Sequence, residues 1–251
     1  MKISTRLLLL FLVLAVLPLA LFSYFNLEQD KAVMRAEALG RMSGLADKKV
    51  SQIGSYLAER EREVRILSRD PQVMGAIGIM PREHAAVPRN AASIPEEAGL
   101  HRYFERYIEE TGLFYDMFLI SPRGDVVFSH KHEADYATNL MDGPFRGSQL
   151  AQAFRAARMM LEPVISGYEY YTPSSAPALF IAAPVIVDGK FRGIFAVQLG
   201  NELFYKVATD ATGLGLSGEV AFAQRDGDSV LYTTPLKYRS DAAMKLRLNL
   251  Q

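Results

Sequence analysis

The stretch DMFLISPRGDVVFSH, residues 116–130, decides the fold class. Two apolar runs, MFLI and VVF, flank the turn-forming residues Ser-Pro-Arg-Gly. Strand-forming residues on both sides of a short segment with Pro and Gly are typical of a β-hairpin. We therefore predict two antiparallel strands, Met117–Ser121 and Val126–His130, joined by a tight turn.

A similar pattern, EVAFAQRDGDSVLY, returns at residues 219–232. The offset between Gly124-Asp125 and Gly227-Asp228 is roughly 100 residues, which is a domain length and not a solenoid repeat. Two related subdomains in tandem would explain the recurrence. The alternative is coincidence, because any two tight hairpins share Gly-Asp turns and apolar flanks.

The N-terminal region contains LLLLFLVLAVLPLALFSYF, Leu7 to Phe25, which has no charged residue. About twenty apolar residues span a bilayer. Because Lys2 and Arg6 precede the run, the positive-inside rule places the N-terminus in the cytoplasm and the rest outside. A cleaved signal peptide is the alternative, but its apolar core is shorter, at about 7–15 residues. We predict a cytoplasmic tip and a transmembrane helix over residues 1–26, in the bacterial inner membrane.

A long stalk helix is predicted over residues 27–75, with its end near Asp70-Pro71. Apolar side chains recur there at heptad spacing, which favours a partner helix in a homodimer. Packing of the same stripe on the chain's own domain is the alternative, and the two are compatible. The stripe consists of Val50, Ile53, Leu57, Val64 and Leu67.

Residues 76–212 are predicted to form one α+β module, and residues 213–251 the start of a second. Residues 75–99 are rich in Ala, Pro and Gly and are expected to form a loop with short helical pieces. Antiparallel strands with helices on one side belong to the α+β class. Beyond the first hairpin we expect helices at 100–110, 148–161 and 202–211, and strands at 164–171, 178–187 and 191–199.

This order of segments resembles the extracytoplasmic double Cache sensor regions of bacterial transmembrane receptors. The resemblance covers about residues 1–235. It includes the membrane anchor, the long helix and the strands that come after them. It implies two PAS-like modules on one long helix, as in chemoreceptors, sensor histidine kinases and diguanylate cyclases. The stretches that carry it are DMFLISPRGDVVFSHKHEADYATNL, APALFIAAPVIVDGKFRGIFAVQL and TGLGLSGEVAFA.

Two departures from that family pattern matter. A complete second module would need roughly 80–100 residues, and the chain reaches Gln251 soon after Thr212 without a second span or an output domain. We therefore expect a fragment or truncated product of a larger receptor. The amino-acid-binding members of the family resemble Tyr-x4-Arg-x-Trp-Tyr, whereas this chain has no Trp, which argues against amino-acid recognition by that route.

The resemblance implies that the distal module binds a small ligand. Small-molecule pockets are apolar clefts with a few convergent polar groups, and a PAS-like cleft lies between the sheet and its covering segments. The alternative is that the aromatic residues there only fill the core. The predicted ligand contacts are the strand residues Phe118, Tyr168 and Tyr170 and the loop residues Asp116, Tyr136 and Asn139.

Several classes of activity are not supported by any motif. The chain has no G-x-S-x-G, no phosphate-binding loop and no H-E-x-x-H, so we predict no enzymatic activity and no cofactor. A formal net charge of +0 argues against a nucleic-acid partner. His130 and His132 would share one face of a strand, but they lie where the strand enters a loop, so we predict no metal site.

The sequence thus predicts a membrane-anchored periplasmic sensor region that binds a small molecule. Its conformational signal would pass to a cytoplasmic output domain outside this chain, with a histidine kinase favoured. A chemoreceptor or a diguanylate cyclase is the alternative output. A secreted or anchored binding protein without signalling output is the alternative from another class.

Overall fold

The computed structural model describes residues 3–79, 95–215 and 217–250. The chain forms two compact units, Met1–Ser51 and Gln52–Gln251. Most of the predicted loop at residues 75–99 lies outside the described residues.

The strands follow one another in runs that are separated by helices, as expected for an α+β chain. The helices are α1 (Ile3–Leu67), α2 (Pro71–Ile79), α3 (Pro95–Thr111), α4 (Gln149–Met160) and α5 (Asn201–Thr209). The strands are β1 (Phe114–Ile120), β2 (Val126–Ser129), β3 (Val164–Ile165), β4 (Glu169–Tyr171), β5 (Ala176–Ala178), β6 (Phe180–Val187), β7 (Lys190–Leu199), β8 (Ala223–Asp226), β9 (Ser229–Tyr232) and β10 (Arg247–Asn249).

Helix α1 is continuous and contains Pro18, a residue that membrane helices tolerate. Between Leu10 and Leu67, an 18-residue window reaches a mean hydropathy of 2.2, and none of it is buried. Among the described residues this is the one helix long and apolar enough to cross a membrane, judged by length and composition. The predicted span therefore coincides with a helix that fits a bilayer.

A five-stranded antiparallel sheet with the order β2-β1-β7-β6-β3 forms the centre of the second unit. Both predicted hairpins of this sheet are present. Asp188 and Gly189 join β6 to β7 with positive φ angles of 51° and 71°, as a type I′ turn requires. The sheet and the helices around it confirm the predicted α+β class.

The two faces of this sheet bury separate apolar clusters. Met117 and Leu119 of β1 pack with α1, α2 and α3, on what we call the α1 face. Phe118 and Ile120 alternate with them and pack against α4, on the α4 face. Ser148 caps α4 by accepting a hydrogen bond from Ala151 N–H at 3.1 Å, which fixes where this covering helix begins.

The heptad stripe of α1 is used largely inside the domain. Val64 and Leu67 are buried in the α1-face cluster, and Ile53 and Leu57 pack against it, whereas Val50 is 66% exposed. The part of the stripe from residue 53 onward therefore stabilises the chain's own core. Large apolar side chains that stay exposed lie farther toward the N-terminus, at Val33, Met34, Leu39 and Met42.

The prediction of one strand over residues 164–171 is wrong. Between β3 and β4, backbone N–H groups donate to side chains and not to a neighbouring strand. Gly167 N–H donates to Gln149 Oε1 at 3.0 Å, and Tyr168 N–H donates to Gln224 Oε1 at 3.2 Å. The chain leaves the sheet there and the side-chain alternation is reset. As a result Tyr171 is 2% exposed, whereas Tyr170 is 53% exposed.

The hairpin predicted within residues 219–232 is also present. β8 and β9 pair antiparallel from Ala223 opposite Tyr232 to Asp226 opposite Ser229, and β10 extends them to a three-stranded sheet. The boundaries at residues 212 and 213, and a common origin of the two hairpins, stay predictions.

Candidate ligand-binding site

A set of buried polar side chains lies on the α4 face of the sheet, where apolar residues would otherwise be expected. Asp116 of β1 stands directly opposite Gln198 of β7, so both side chains occupy the same face. Both are buried, at 0% and 1% exposure. We call the full set the buried polar cluster; it consists of the buried residues Asp116, Ser129, Asp135, Tyr171 and Gln198 and of the half-buried Ser174.

The Asp116 carboxylate organises the end of β2. Its Oδ2 accepts from Ser129 Oγ at 2.8 Å, and its Oδ1 accepts from the backbone N–H groups of Met117 at 2.7 Å and Lys131 at 3.0 Å. Burial raises the pKa of Asp116 to about 7, although the three hydrogen bonds that the carboxylate accepts favour its ionised form. Asp116 thus fixes the course of the chain beyond β2.

The Asp135 carboxylate is half satisfied. Tyr171 donates a hydrogen bond from Oη to Asp135 Oδ2 at 2.6 Å, whereas Oδ1 is buried and has no hydrogen-bond partner in the part of the chain that the structure describes. Burial raises the pKa of this carboxyl to about 6, and the nearby Glu133 adds to the shift, whereas the hydrogen bond from Tyr171 and the backbone N–H groups of Asp135 and Tyr136 lower the pKa. A buried acceptor without a donor is costly, so a site of this kind favours a ligand that supplies one.

Gln198, which lies in the sheet, also has one polar atom with a hydrogen-bond partner and one without. Its Nε2 donates to Ser174 Oγ at 3.1 Å, and its buried Oε1 finds no hydrogen-bond donor within the described ranges. The free positions at Asp135 and Gln198 are both acceptors. The site can therefore hold a group rich in N–H or O–H donors, and a cation above all, because an ionised carboxylate is present.

Aromatic rings border the buried polar cluster. The Tyr171 ring lies 4.9 Å from that of Phe180, edge-on, and 6.1 Å from that of Phe145. Phe118 and Phe180 have centroids 6.3 Å apart. A few polar groups among aromatic rings are the usual composition of a small-molecule site.

The structure brings together only part of the predicted set. Asp116 and Phe118 lie on the α4 face, with Asp116 inside β1 and not in a loop. Tyr136 and Tyr168 instead pack with the α1-face cluster, and Tyr168 lies between β3 and β4 and not in a strand. Exposed Tyr170 donates to Ser175 C=O at 2.9 Å. The role of each as a ligand contact stays a prediction.

Asn139 has a local structural use. Its Nδ2 donates to Asp125 Oδ1 at 2.9 Å, and its Oδ1 accepts from Met141 N–H at 2.7 Å. These bonds tie the turn between β1 and β2 to the segment that follows β2. The Asn139 amide is therefore already committed to protein partners.

Sequence reasoning missed five of the six members of the buried polar cluster, namely Ser129, Asp135, Tyr171, Ser174 and Gln198. Gln198 had a usable signal, because it is the one polar residue in the apolar run IFAVQL at 194–199. Tyr171 was missed because the break after β3 changes which tyrosine faces inward. No pattern marked Asp135, which reaches the site through a loop.

Comparison with known proteins places the fold. No protein-family model and no curated protein matches the chain. The sensor domain of the Vibrio cholerae histidine kinase DctB matches with a TM-score of 0.52 at 16% identity, over 74% of this chain and 62% of that one. The fold is that of a Cache-like sensor domain. The chain thus spans less than two thirds of the length of the DctB domain.

Weaker matches are ligand-binding domains of chemoreceptors. The domain of Pseudomonas aeruginosa PctC, solved with GABA, has a TM-score of 0.49 at 15% identity, over 82% of this chain and 78% of that one. That of Pseudomonas fluorescens CtaA, solved with L-serine, has a TM-score of 0.47 at 12% identity, over 79% and 71%.

Proposed function

We propose that this chain is the membrane-anchored, extracytoplasmic sensor region of a bacterial receptor, and that its ligand binds at the buried polar cluster. The observation that carries this proposal is the pair of buried, unpartnered acceptors, Asp135 Oδ1 and Gln198 Oε1, on the α4 face of a Cache-like sheet. A sheet that only filled its core would bury apolar side chains at these positions.

The chemistry of the two acceptors favours a protonated amine as the ligand. An ammonium group donates three hydrogen bonds and neutralises the Asp135 carboxylate. The rings of Phe180 and Tyr171 can face the cation or its carbon chain. Carboxylate ligands fit less well, because no Lys or Arg belongs to the buried polar cluster.

Signal transfer follows from the contacts of the same cluster. Asp116 holds the segment after β2 through Ser129 and Lys131, and the opposite face of the sheet packs on α1 through Val64 and Leu67. A ligand that binds one arrangement of these layers more tightly shifts the equilibrium toward it, by its differential affinity alone. The displaced element is α1, which continues into the apolar N-terminal stretch.

We propose a homodimer through the N-terminal part of α1 and a histidine kinase as output domain. The exposed Val33, Met34, Leu39 and Met42 support the first point, since a partner helix would cover them. The likeness in fold to a histidine kinase sensor domain supports the second. A chemoreceptor or a diguanylate cyclase is the alternative output.

A ligand screen tests the proposed site. The full chain is purified in detergent, and its thermal unfolding is followed with amines, amino acids, carboxylates and purines. A specific ligand at a hundredfold excess over Kd stabilises the folded state by about 2.7 kcal/mol. We expect amines to raise the unfolding midpoint and Asp135→Asn to abolish the rise.

The matched control is Asp142→Asn, which removes an exposed carboxylate from the same connection between β2 and α4. It should respond as the wild type does. An amine response that Asp135→Asn leaves intact contradicts the proposed site, and a response to carboxylates alone contradicts the proposed ligand class.

N-terminal sequencing of the mature protein separates a sensor from a secreted binding protein. An intact segment from Leu7 to Phe25 supports the anchored sensor. A chain that begins beyond Phe25 contradicts the anchor.

A further inference from the structure

A cavity of about 450 Å³ lies in the second unit, apart from the buried polar cluster. It is bordered by the end of α1, the connection from α4 to β3 and the outer end of β6. None of the described residues that line it belongs to the buried polar cluster. Its volume falls within the range of small-molecule sites, about 300–1,000 Å³.

The cavity opens at this place because β3 is short. β3 pairs with β6 only at Ile181 and Ala182, so beyond Ala182 no described strand lies on this side of β6. Pro184 lacks a backbone N–H and therefore suits an open strand edge. Ile186, two residues farther along, is 42% exposed. The open end of β6 thus offers an apolar wall that a ligand can reach.

Leu161 forms another part of the apolar wall, in a backbone conformation that leucine rarely adopts. It caps α4 with a φ of 53° and a ψ of 31°, in the left-handed region. Glycine or asparagine usually occupies this position at the end of a helix, because a Cβ is strained there. The Leu161 side chain is 48% exposed, so burial within the protein does not offset the strain. Strained residues are concentrated at ligand sites, and contact with an apolar ligand would bury this one.

Two arginines provide the polar side of the cavity. Arg65 donates from Nη2 to Glu61 Oε1 at 3.0 Å and from Nη1 to Glu162 Oε2 at 3.1 Å. The pair with Glu162 is exposed, at 40% for the arginine side chain and 64% for the glutamate, so it contributes little stability. Arg69, four residues later, makes no hydrogen bond or ion pair with any described residue. A ligand carboxylate can therefore take the place of Glu162 at Arg65 and pair with Arg69 as well.

We propose that this cavity is a second ligand-binding site and that it takes an organic monocarboxylate with an apolar body. Arg65 and Arg69 bind the carboxylate, because the planar guanidinium group matches its geometry. The apolar body packs against Leu161, Pro184 and Ile186. The site goes beyond the proposed function and does not depend on it, because it shares no residue with the buried polar cluster.

The test measures binding of radiolabelled benzoate to the full chain in detergent at neutral pH, by equilibrium dialysis with detergent alone as the blank. Benzoate carries one carboxylate on an apolar ring, and we expect one saturable benzoate per chain. Benzamide has the same shape without the charge and should not compete. Acetate lacks the ring and should compete only at a much higher concentration.

Two substitutions on the polar side of the cavity should act in opposite directions. Arg69→Gln removes a charged donor and should weaken benzoate binding by about tenfold or more. Glu162→Gln removes the carboxylate that competes for Arg65 and should strengthen binding by about two- to fivefold. A gain of affinity cannot result from a misfolded variant, so Glu162→Gln decides if Arg69→Gln does not fold.

Leu161→Gly tests the apolar wall. The substitution relieves the left-handed strain and removes the side chain that contacts the ligand. The unfolding midpoint should therefore stay the same or rise, while benzoate binding weakens. A loss of affinity without a loss of stability is the result that a purely structural role of Leu161 would not give.

Controls separate this site from the rest of the chain. Arg106→Gln removes an exposed arginine of α3, outside the cavity, and should bind benzoate as the wild type does. Asp135→Asn should also leave benzoate binding unchanged, which separates this site from the proposed amine site. Absence of saturable benzoate, equal competition by benzamide, or unchanged affinity in Arg69→Gln overturns the proposal. Unchanged affinity in Glu162→Gln does so where Arg69→Gln does not fold.

Discussion

Tyr171 Oη and Asp135 Oδ2 lie 2.6 Å apart in a hydrogen bond that joins β4 to the connection between β2 and α4. Both residues are buried, and Asp135 raises the pKa of the tyrosine further above its ordinary range. The bond orients the carboxylate so that one oxygen is used by the protein and the other is left over. This division leaves Asp135 Oδ1 as the acceptor that the proposed ligand would use.

Asp135→Asn should stabilise the ligand-free protein at pH 8. The amide removes a charge whose burial raises the carboxyl pKa to about 6, and its oxygen can still accept from Tyr171. The unfolding midpoint should rise by about 2–4 °C for each kcal/mol gained in a domain of this size. A variant that is more stable and yet does not respond to ligand would mark a functional site; a loss of stability at pH 8 would contradict the assigned burial cost.

The pH dependence of stability should follow the two buried carboxyls. Burial raises the pKa of Asp116 to about 7 and of Asp135 to about 6, so the folded state binds more protons than the unfolded one above about pH 4. Their contribution is complete below pH 4 and is lost as pH rises through 6 and 7.

His101 acts in the opposite direction, because its lowered pKa gives stability above about pH 6.5 that is lost as pH falls toward 4. Unfolding midpoints at pH 4 to 8 measure the balance. Asp116→Asn should flatten the decline between pH 5 and 8, and His101→Phe should flatten the opposing rise. An unchanged profile in Asp116→Asn would count against a raised pKa.

Tyr171→Phe and Tyr170→Phe form a matched pair of adjacent substitutions. Tyr171→Phe removes a buried hydrogen bond to a carboxylate and should cost about 1.5–3 kcal/mol of unfolding free energy at pH 8. Tyr170→Phe removes a bond to Ser175 C=O at the surface and should cost about 0.5 kcal/mol. Urea unfolding measures both, and equal costs would contradict the inward placement of Tyr171.

Gly193 in β7 should not tolerate a side chain. Its φ is +146°, and a Cβ there would lie 2.3 Å from Ile120 C=O and 2.6 Å from Ile77 Cδ1. Gly193→Ala should therefore cost about 2 kcal/mol or more, through backbone strain and overpacking.

Gly75→Ala is the control for Gly193→Ala. Gly75 lies in α2 with nothing within 4 Å of its would-be Cβ, so alanine should stabilise the helix by up to about 1 kcal/mol. The midpoint of thermal unfolding should fall in Gly193→Ala and rise in Gly75→Ala, relative to the wild type.

Ser148→Ala should destabilise α4, which covers the face of the sheet where we propose that the ligand binds. The substitution removes the side-chain oxygen that accepts from Ala151 N–H and should cost about 1 kcal/mol. Ser148→Asp retains an acceptor and should unfold like the wild type. If the alanine and aspartate variants unfold alike, the cap contributes no stability.

Much of the fold could be predicted because local patterns determine it. The apolar runs around Gly124 and Gly189 specify hairpins, and Ser148 specifies the start of a helix. The heptad stripe of α1 predicted a helix correctly, but spacing alone could not say what covers it. In the structure the sheet covers residues 53–67, and the exposed apolar residues lie nearer the N-terminus.

The candidate site was less predictable, because its parts come from distant segments. Asp116 and Phe118 could be chosen from β1 by strand alternation, and they share the α4 face. Tyr168 and Tyr170 were predicted as ligand contacts from the same alternation. That alternation no longer holds there, because the chain leaves the sheet between β3 and β4. Tyr168 is buried on the α1 face, and the tyrosine of that segment that is buried on the α4 face is Tyr171.

By itself, the sequence determined the apolar N-terminal helix and its long continuation, the hairpins and the α+β class, because these depend on residues near one another in the chain. Only the tertiary structure decided which polar groups lie together. It joined Asp135, Tyr171 and Gln198 on one face and His101 with His130 and His132 on the other. Such arrangements depend on strand register and on where loops cross the sheet, which are set by packing over the whole domain.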